Sequence, residues 1–258
     1  MKTRSPLGGQ RLMEIYQQLH EALGPSHWWP AESPLEVIIG AVLAQNTAWS
    51  NAEKAIAVLA SNNLIPKPSE AEGSAVSPQE AGKALLETPE EALGELIRPA
   101  GFFRQKARRL HAVLSFFEES CAFDVPELAN SRRHSTSELR ASLLRLEGVG
   151  PETADSILLY ALKRPSFVVD ACTMRILGRH SLLPSAPTYE NVRRMLMDSL
   201  PQETALYNEF HALFVRAAKE WCRKKAPLCS ACPLGKKLWA WQNTFELPGM
   251  NIQLTPLF

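Results

Sequence analysis

The sequence has no run of eighteen uninterrupted apolar residues, and its first residues lack the apolar stretch of a secretory signal. A membrane-spanning helix is not expected, and the cytoplasm is the expected compartment. Charge of one sign is missing as well. The 28 Lys and Arg stand against 27 Asp and Glu, a net of +1. So balanced a chain has no overall field to draw it to a polyanion. Any such surface must come from local clusters, of which Arg104-Gln105-Lys106-Ala107-Arg108-Arg109, Arg132-Arg133-His134 and Arg223-Lys224-Lys225 are the candidates. Taken singly, each reads as an ordinary solvated face. Internal repeats are absent, and the only strand-like run is the short Phe167-Val168-Val169. The expected fold class is therefore all-α. With 258 residues and 45% apolar content, the chain can bury a sizeable core in one large or two modest domains.

What the sequence does contain is helical periodicity. Apolar residues recur at three- and four-residue spacing over residues 9–23, 47–59, 85–97, 106–117, 137–146, 188–199 and 203–221, while 34–43 is almost wholly apolar and belongs inside. Residues 61–83, rich in Pro, Ser, Gly and Glu, read as a flexible insertion, and 121–137 as a polar connection.

The chain is organised around residues 146–180. Glu147-Gly148-Val149-Gly150 cannot be helix interior, because glycines separated by one residue permit positive φ and bring backbone N–H groups to the surface. Pro151 suits a first helical position, and Ala154, Ile157, Leu158, Ala161 and Leu162 form one apolar face. Helix, glycine turn and helix over 137–163 make a helix-hairpin-helix, a device that grips a nucleic-acid backbone through main-chain donors without reading bases. An ordinary tight helical turn would use the same glycines. After a polar break, the Phe167-Val168-Val169 run ends in Asp170 at the start of a new helix. A capping role is the plain reading of that carboxylate; held ionised beside a hairpin, it also suits electrostatic catalysis. Glu152, in the first turn after the hairpin, complements the helix dipole or faces a substrate.

Two further groups stand out. Trp28-Trp29-Pro30 interrupts the helical pattern, so at least one indole projects from a loop, and Trp49 follows the polar turn Gln45-Asn46-Thr47. Near the C-terminus, Cys222, Cys229 and Cys232 have C-x6-C-x2-C spacing, and soft thiolates so spaced favour iron–sulfur or zinc. A disulfide is disfavoured in a reducing compartment.

Hairpin glycines followed about twenty residues later by Val-Asp at a helix start resemble the HhH-GPD signature of the endonuclease III superfamily of DNA glycosylases. The resemblance covers residues 28–232, including Ala41-Val42-Leu43-Ala44-Gln45-Asn46-Thr47 and Gly101-Phe102-Phe103-Arg104-Gln105-Lys106-Ala107. The Trp-Trp-Pro, Gly-Val-Gly and Ala-Trp segments together are most similar to the bacterial 3-methyladenine DNA glycosylase branch. The resemblance implies a two-lobed helical unit, with a central lobe over 36–178 and a second formed by 1–35 with 179–258. It implies a monomer acting on double-stranded DNA that contains damaged bases. It assigns catalysis to Asp170, a base pocket to Trp28, Pro30 and Trp49 with Glu152 beside it, backbone contact to Gly148, Val149, Gly150 and Lys106, and filling of the emptied duplex position to Gln45. Two departures matter. Glu152 stands where bifunctional members carry a lysine, so no Schiff-base amine is expected and no strand cleavage. The position of a fourth cluster cysteine is Leu238, which leaves three possibilities: a 4Fe–4S cluster with a non-cysteine ligand, zinc, or a loop without metal.

Overall fold

The computed structural model describes residues 6–29, 31, 33–66 and 77–235. Among them every regular element is helical: α1 (Pro6–Leu23), α2 (Pro34–Leu43), α3 (Trp49–Ser61), α4 (Pro78–Glu87), α5 (Glu90–Leu96), a 3-10 turn (Arg98–Ala100), α6 (Phe103–Cys121), α7 (Val125–Asn130), α8 (Thr136–Leu144), α9 (Pro151–Ser156) running into a π turn (Ile157–Ala161), α10 (Ala171–Arg179), α11 (Tyr189–Ser199) and α12 (Thr204–Glu220). None of these helices is long and apolar enough to cross a membrane.

Helix α2 begins where Ser33 accepts the Glu36 N–H at 3.2 Å and Pro34 sets the first turn. Every residue from Val37 to Leu43 is buried. Full burial of Ile38, Ile39, Val42 and Leu43 contributes on the order of 1.5–3 kcal/mol each. Around this buried rod pack α3, α6 and the π turn, while α1 lies on α11 and α12, and α10 on α12.

Two expectations are corrected by local chemistry. The insertion over 61–83 is shorter at its C-terminal end, because Ser77 and Glu80 form a reciprocal capping box that starts α4 at Pro78; residues 67–76 lie outside the described set. The connection over 121–137 contains α7, capped by Asp124 at 2.9 Å from the Glu127 N–H. Phe167, Val168 and Val169 are buried but pair with no neighbouring strand.

A charged knot that no sequence pattern announced fixes the hairpin to the segment leading to Asp170. Asp155, fully buried, accepts from Arg140 (2.8 and 2.9 Å), Arg193 (3.2 Å), the Tyr189 hydroxyl (2.9 Å) and Ser166. Four donors around one carboxylate tie α8, α9, α11 and the 165–169 segment together, and removal of the acid would leave Arg193 without its carboxylate and Arg140 with Glu190 alone.

Lys106 requires the largest correction. It is 1% exposed, with Nζ donating to the carbonyls of Leu43 (2.8 Å) and Ala100 (2.7 Å), so it cannot reach a DNA backbone. The register explains this: Lys106 shares the buried face of α6 with Leu110, Val113 and Phe117. Burial pushes its amine down to about 8. Lys106→Met is expected to cost about 1–3 kcal/mol, because two carbonyls lose their donor. Urea unfolding and duplex-binding titrations check this: the midpoint falls and DNA affinity is unchanged, whereas lost affinity at unchanged stability would return Lys106 to the DNA face.

Candidate active site

The hairpin turn is built asymmetrically. Gly148 has φ +76°, and a Cβ there would sit 2.3 Å from the Arg109 side chain, so both conformation and crowding demand glycine. Gly150 does not share this demand: its φ of −87° is ordinary, and it serves instead as the N-cap of α9. Both glycines are exposed, while Val149 between them is buried and its N–H donates to the Leu146 carbonyl. The exposed main chain of the turn is therefore that of the glycines, and Val149 anchors it.

Gln45 is committed to that anchor. Its Nε2 donates to the Gly148 carbonyl (3.1 Å) and the Thr153 hydroxyl (2.9 Å), and its Oε1 accepts from Arg109 (2.6 Å). Filling an emptied duplex position would break all three bonds, so Gln45 is better described as the clamp between the α2 end, α6 and the hairpin.

Asp170 caps α10, with Oδ1 accepting the Thr173 N–H at 2.7 Å. Its side chain is 17% exposed, and Oδ2 lies 3.8 Å from His211 Nε2. A helix N-terminus favours a carboxylate both by that bond and by its dipole. Glu152, in the first turn of α9, is open to solvent yet walled by protein; burial first, and the charge of Asp170 second, push its carboxyl up to about 7. The two acids are thus close enough to feel each other's charge.

The aromatic groups are contiguous with this pair. Trp28 and Trp29, both half-buried, lie in the loop between α1 and α2, and Trp49 opens α3. Ring centroids are 6.2 Å apart for Trp28 and Trp49, at 53°, and 4.9 Å for Trp29 and Trp49, at 88°. Gly40 of α2 makes this packing possible: any Cβ there would meet both the Trp29 and Trp49 rings at 3.3–3.4 Å. A flat ligand between two rings needs parallel planes about 7 Å apart, twice the van der Waals spacing. Trp28 and Trp49 are closer and tilted, so the expected sandwich is not preformed. Trp28 also lines a cleft of about 440 Å3 with Lys163, Asn208 and Glu209. From Trp29 the path to Asp170 runs through Tyr160, at 5.2 Å between rings, and His211. Pro30 lies outside the described residues.

The cysteine loop meets the far end of the same helix. Cys222, Cys229 and Cys232 line one cavity of about 210 Å3, with Arg179, His180 and Trp221 among its other walls. Arg179 Nη1 is 3.1 Å from the Cys222 sulfur, and Arg175 Nε donates to the Cys222 carbonyl at 2.7 Å. Among the described residues no three His, Cys, Asp or Glu side chains converge as a single ion requires. Three soft sulfurs spread around one roomy cavity fit a multi-atom cluster better than a lone zinc. Leu238, at the fourth family position, lies outside the described residues.

Phe102 escaped the sequence reading. It is 66% exposed, adopts φ +47° at the N-cap of α6 and follows Gly101 at φ +68°. The available signal was the Phe-Phe pair after a glycine, of which only Phe103 packs inward. Tyr160 and His211 were also missed, because nothing local in sequence distinguishes them from core residues.

Residues 39–202 match the family described as HhH-GPD superfamily base excision DNA repair protein. The chain is 41% identical over 225 residues to "Putative DNA repair glycosylase MJ1434" of Methanocaldococcus jannaschii, covering 87% of this chain and 94% of that protein. It is 31% identical over 199 residues to Endonuclease III of Thermotoga maritima, covering 77% and 79%. Among solved structures, the H. pylori 3-methyladenine DNA glycosylase bound to 1,N6-ethenoadenine superposes with a TM-score of 0.65 at 23% identity, over 83% of this chain and 97% of that one. A non-covalent Endonuclease III–DNA complex superposes at 0.69 and 20% identity, over 90% and 98%. The chain belongs to the HhH-GPD superfamily of base excision DNA repair proteins and is an endonuclease III-like DNA glycosylase.

Proposed function

We propose that this glycosylase is monofunctional and releases alkylated purines of the 3-methyladenine type from double-stranded DNA, acting as a monomer and leaving an abasic site. The observation that carries the reading is the pairing of a capped Asp170 with an acid, Glu152, in place of an amine, with a cluster of indoles linked to Asp170 through Tyr160 and His211.

The steps follow from these side chains. The exposed glycines Gly148 and Gly150 bring main-chain donors to a phosphate, which positions the duplex without reading sequence. Extrusion of a nucleotide costs a few kcal/mol, least where pairing is already weakened. Phe102 is the apolar wedge for the vacated position, since it is exposed where Gln45 is already bonded. A purine alkylated at N3 or N7 is cationic, and electron-rich indole faces attract cations. Trp28 and Trp49 open from their tilted arrangement to admit it. Such a base leaves readily without a general acid. Asp170 stabilises the positive charge growing on the sugar and orients the attacking water. Three cysteine corners, Cys222, Cys229 and Cys232, would hold a 4Fe–4S cluster, whose contribution when bound is to brace the basic loop 223–225 against DNA.

Three outcomes follow. Duplex carrying 3-methyladenine or 7-methylguanine should yield free base with no borohydride-trapped protein–DNA adduct; a trapped adduct would reveal an amine, such as Lys163 beside Trp28, and overturn the monofunctional reading. Protein isolated without oxygen should contain iron and acid-labile sulfide and absorb near about 400 nm, a band lost in Cys229→Ala; colourless, iron-free protein would contradict the cluster. Glu152 binds its proton more tightly folded, at about 7, than at its ordinary 4.5, so wild-type stability falls as pH rises between those values. Glu152→Gln should therefore match wild type at pH 4 and exceed it above pH 7, by no more than about 1 kcal/mol because solvent screens so open a side chain. Thermal melts across that range decide it, and a gap already present at pH 4 would refute the coupling.

A further inference from the structure

Behind Asp170, on α12, lies a histidine whose one unpartnered nitrogen faces the carboxylate. His211 is 7% exposed, and its Nε2 has no hydrogen-bond partner although it lies 3.8 Å from Asp170 Oδ2. Its other nitrogen, Nδ1, meets the Tyr160 hydroxyl at 2.5 Å. Tyr160 is fully buried, and burial keeps its phenol protonated well above neutrality. Burial also holds the imidazole below its ordinary range, so the ring carries one proton and must place it on one nitrogen.

Two arrangements of that proton exist. With the Tyr160 O–H donating to Nδ1, the ring hydrogen is on Nε2 and points at Asp170. With Nδ1 donating to the phenol oxygen, a bare nitrogen lone pair faces an anion in a poorly solvated site, and the phenol hydrogen loses its acceptor. The second arrangement is unfavourable on both counts. The gap of 3.8 Å exceeds hydrogen-bond length, but bonds of this kind are commonly long before substrate arrives and shorten in the reacting complex.

We infer that His211 is a positioning residue for Asp170: its Nε2–H, fixed on that nitrogen by Tyr160, holds Oδ2 while the α10 N-terminus holds Oδ1, so the carboxylate keeps one orientation as the sugar becomes positive. The inference rests on the catalytic reading of Asp170 given above. It extends the apparatus from the groove wall into the core, along a line from Trp29 through Tyr160 and His211 to the carboxylate.

The test is single-turnover base release from a 7-methylguanine duplex by the full chain, with duplex affinity measured in parallel. His211→Leu should slow release roughly 10- to 100-fold, the usual cost of losing an outer partner that orients a reacting group, with affinity unchanged. His211→Gln, whose amide can still donate an N–H, should recover most of that loss, and Tyr160→Phe should fall between. A merely structural histidine would not be rescued by glutamine, so equal impairment of the two His211 variants overturns the inference. Wild-type release by His211→Leu alongside inactive Asp170→Asn overturns it too and leaves the catalytic reading standing. Wild-type release by Asp170→Asn removes both. Should His211→Leu fail to fold, Tyr160→Phe decides alone: a wild-type rate overturns the inference, and a slowed rate at intact affinity supports it.

Discussion

A carboxylate that is to face a developing cation must stay charged, hold still and remain in contact with the groove. Asp170 is held still by its place at the N-cap of α10, where the Thr173 N–H fixes one oxygen, and it is 17% exposed. The surrounding architecture serves that placement. The buried Asp155 knot pins the segment before Asp170 to both hairpin helices, and Gln45 with Arg109 pins the hairpin to the buried α2. The exposed hairpin glycines and the Asp170 carboxylate are thereby held in one frame.

Helix α10 also links two chemistries. Its N-terminus carries Asp170, and two further arginines, Arg175 at mid-helix and Arg179 at the C-terminal end, hold the Cys222 corner of the cysteine loop. Nine residues of helix span roughly 13 Å at 1.5 Å per residue. Ordering of that loop therefore bears directly on the helix that holds the acid.

Much of this was legible from residue spacing. The wholly apolar α2, the proline after Gly150 and the Val-Asp helix start each follow from local rules, and the structure has α2, α9 and α10 at those places. Other features depend on partners distant in sequence. Lys106 belongs to a run of basic residues, yet its register on α6 turns it inward. Gln45 reads as a free polar residue until Gly148, Thr153 and Arg109 arrive from more than sixty positions away. His211 and Tyr160 are indistinguishable from core residues in a linear reading, because their significance comes from facing Asp170 across a helix interface.

The central claim is electrostatic: one negative side chain opposes a sugar that turns positive. Its most direct measurement is binding to duplex with a cationic pyrrolidine in place of one deoxyribose, compared with an uncharged tetrahydrofuran at the same position. The account predicts that wild-type protein prefers the cation by on the order of 100-fold, as transition-state mimics are preferred, and that Asp170→Asn loses the preference while binding the neutral analogue equally well. An undiminished preference in Asp170→Asn would contradict it.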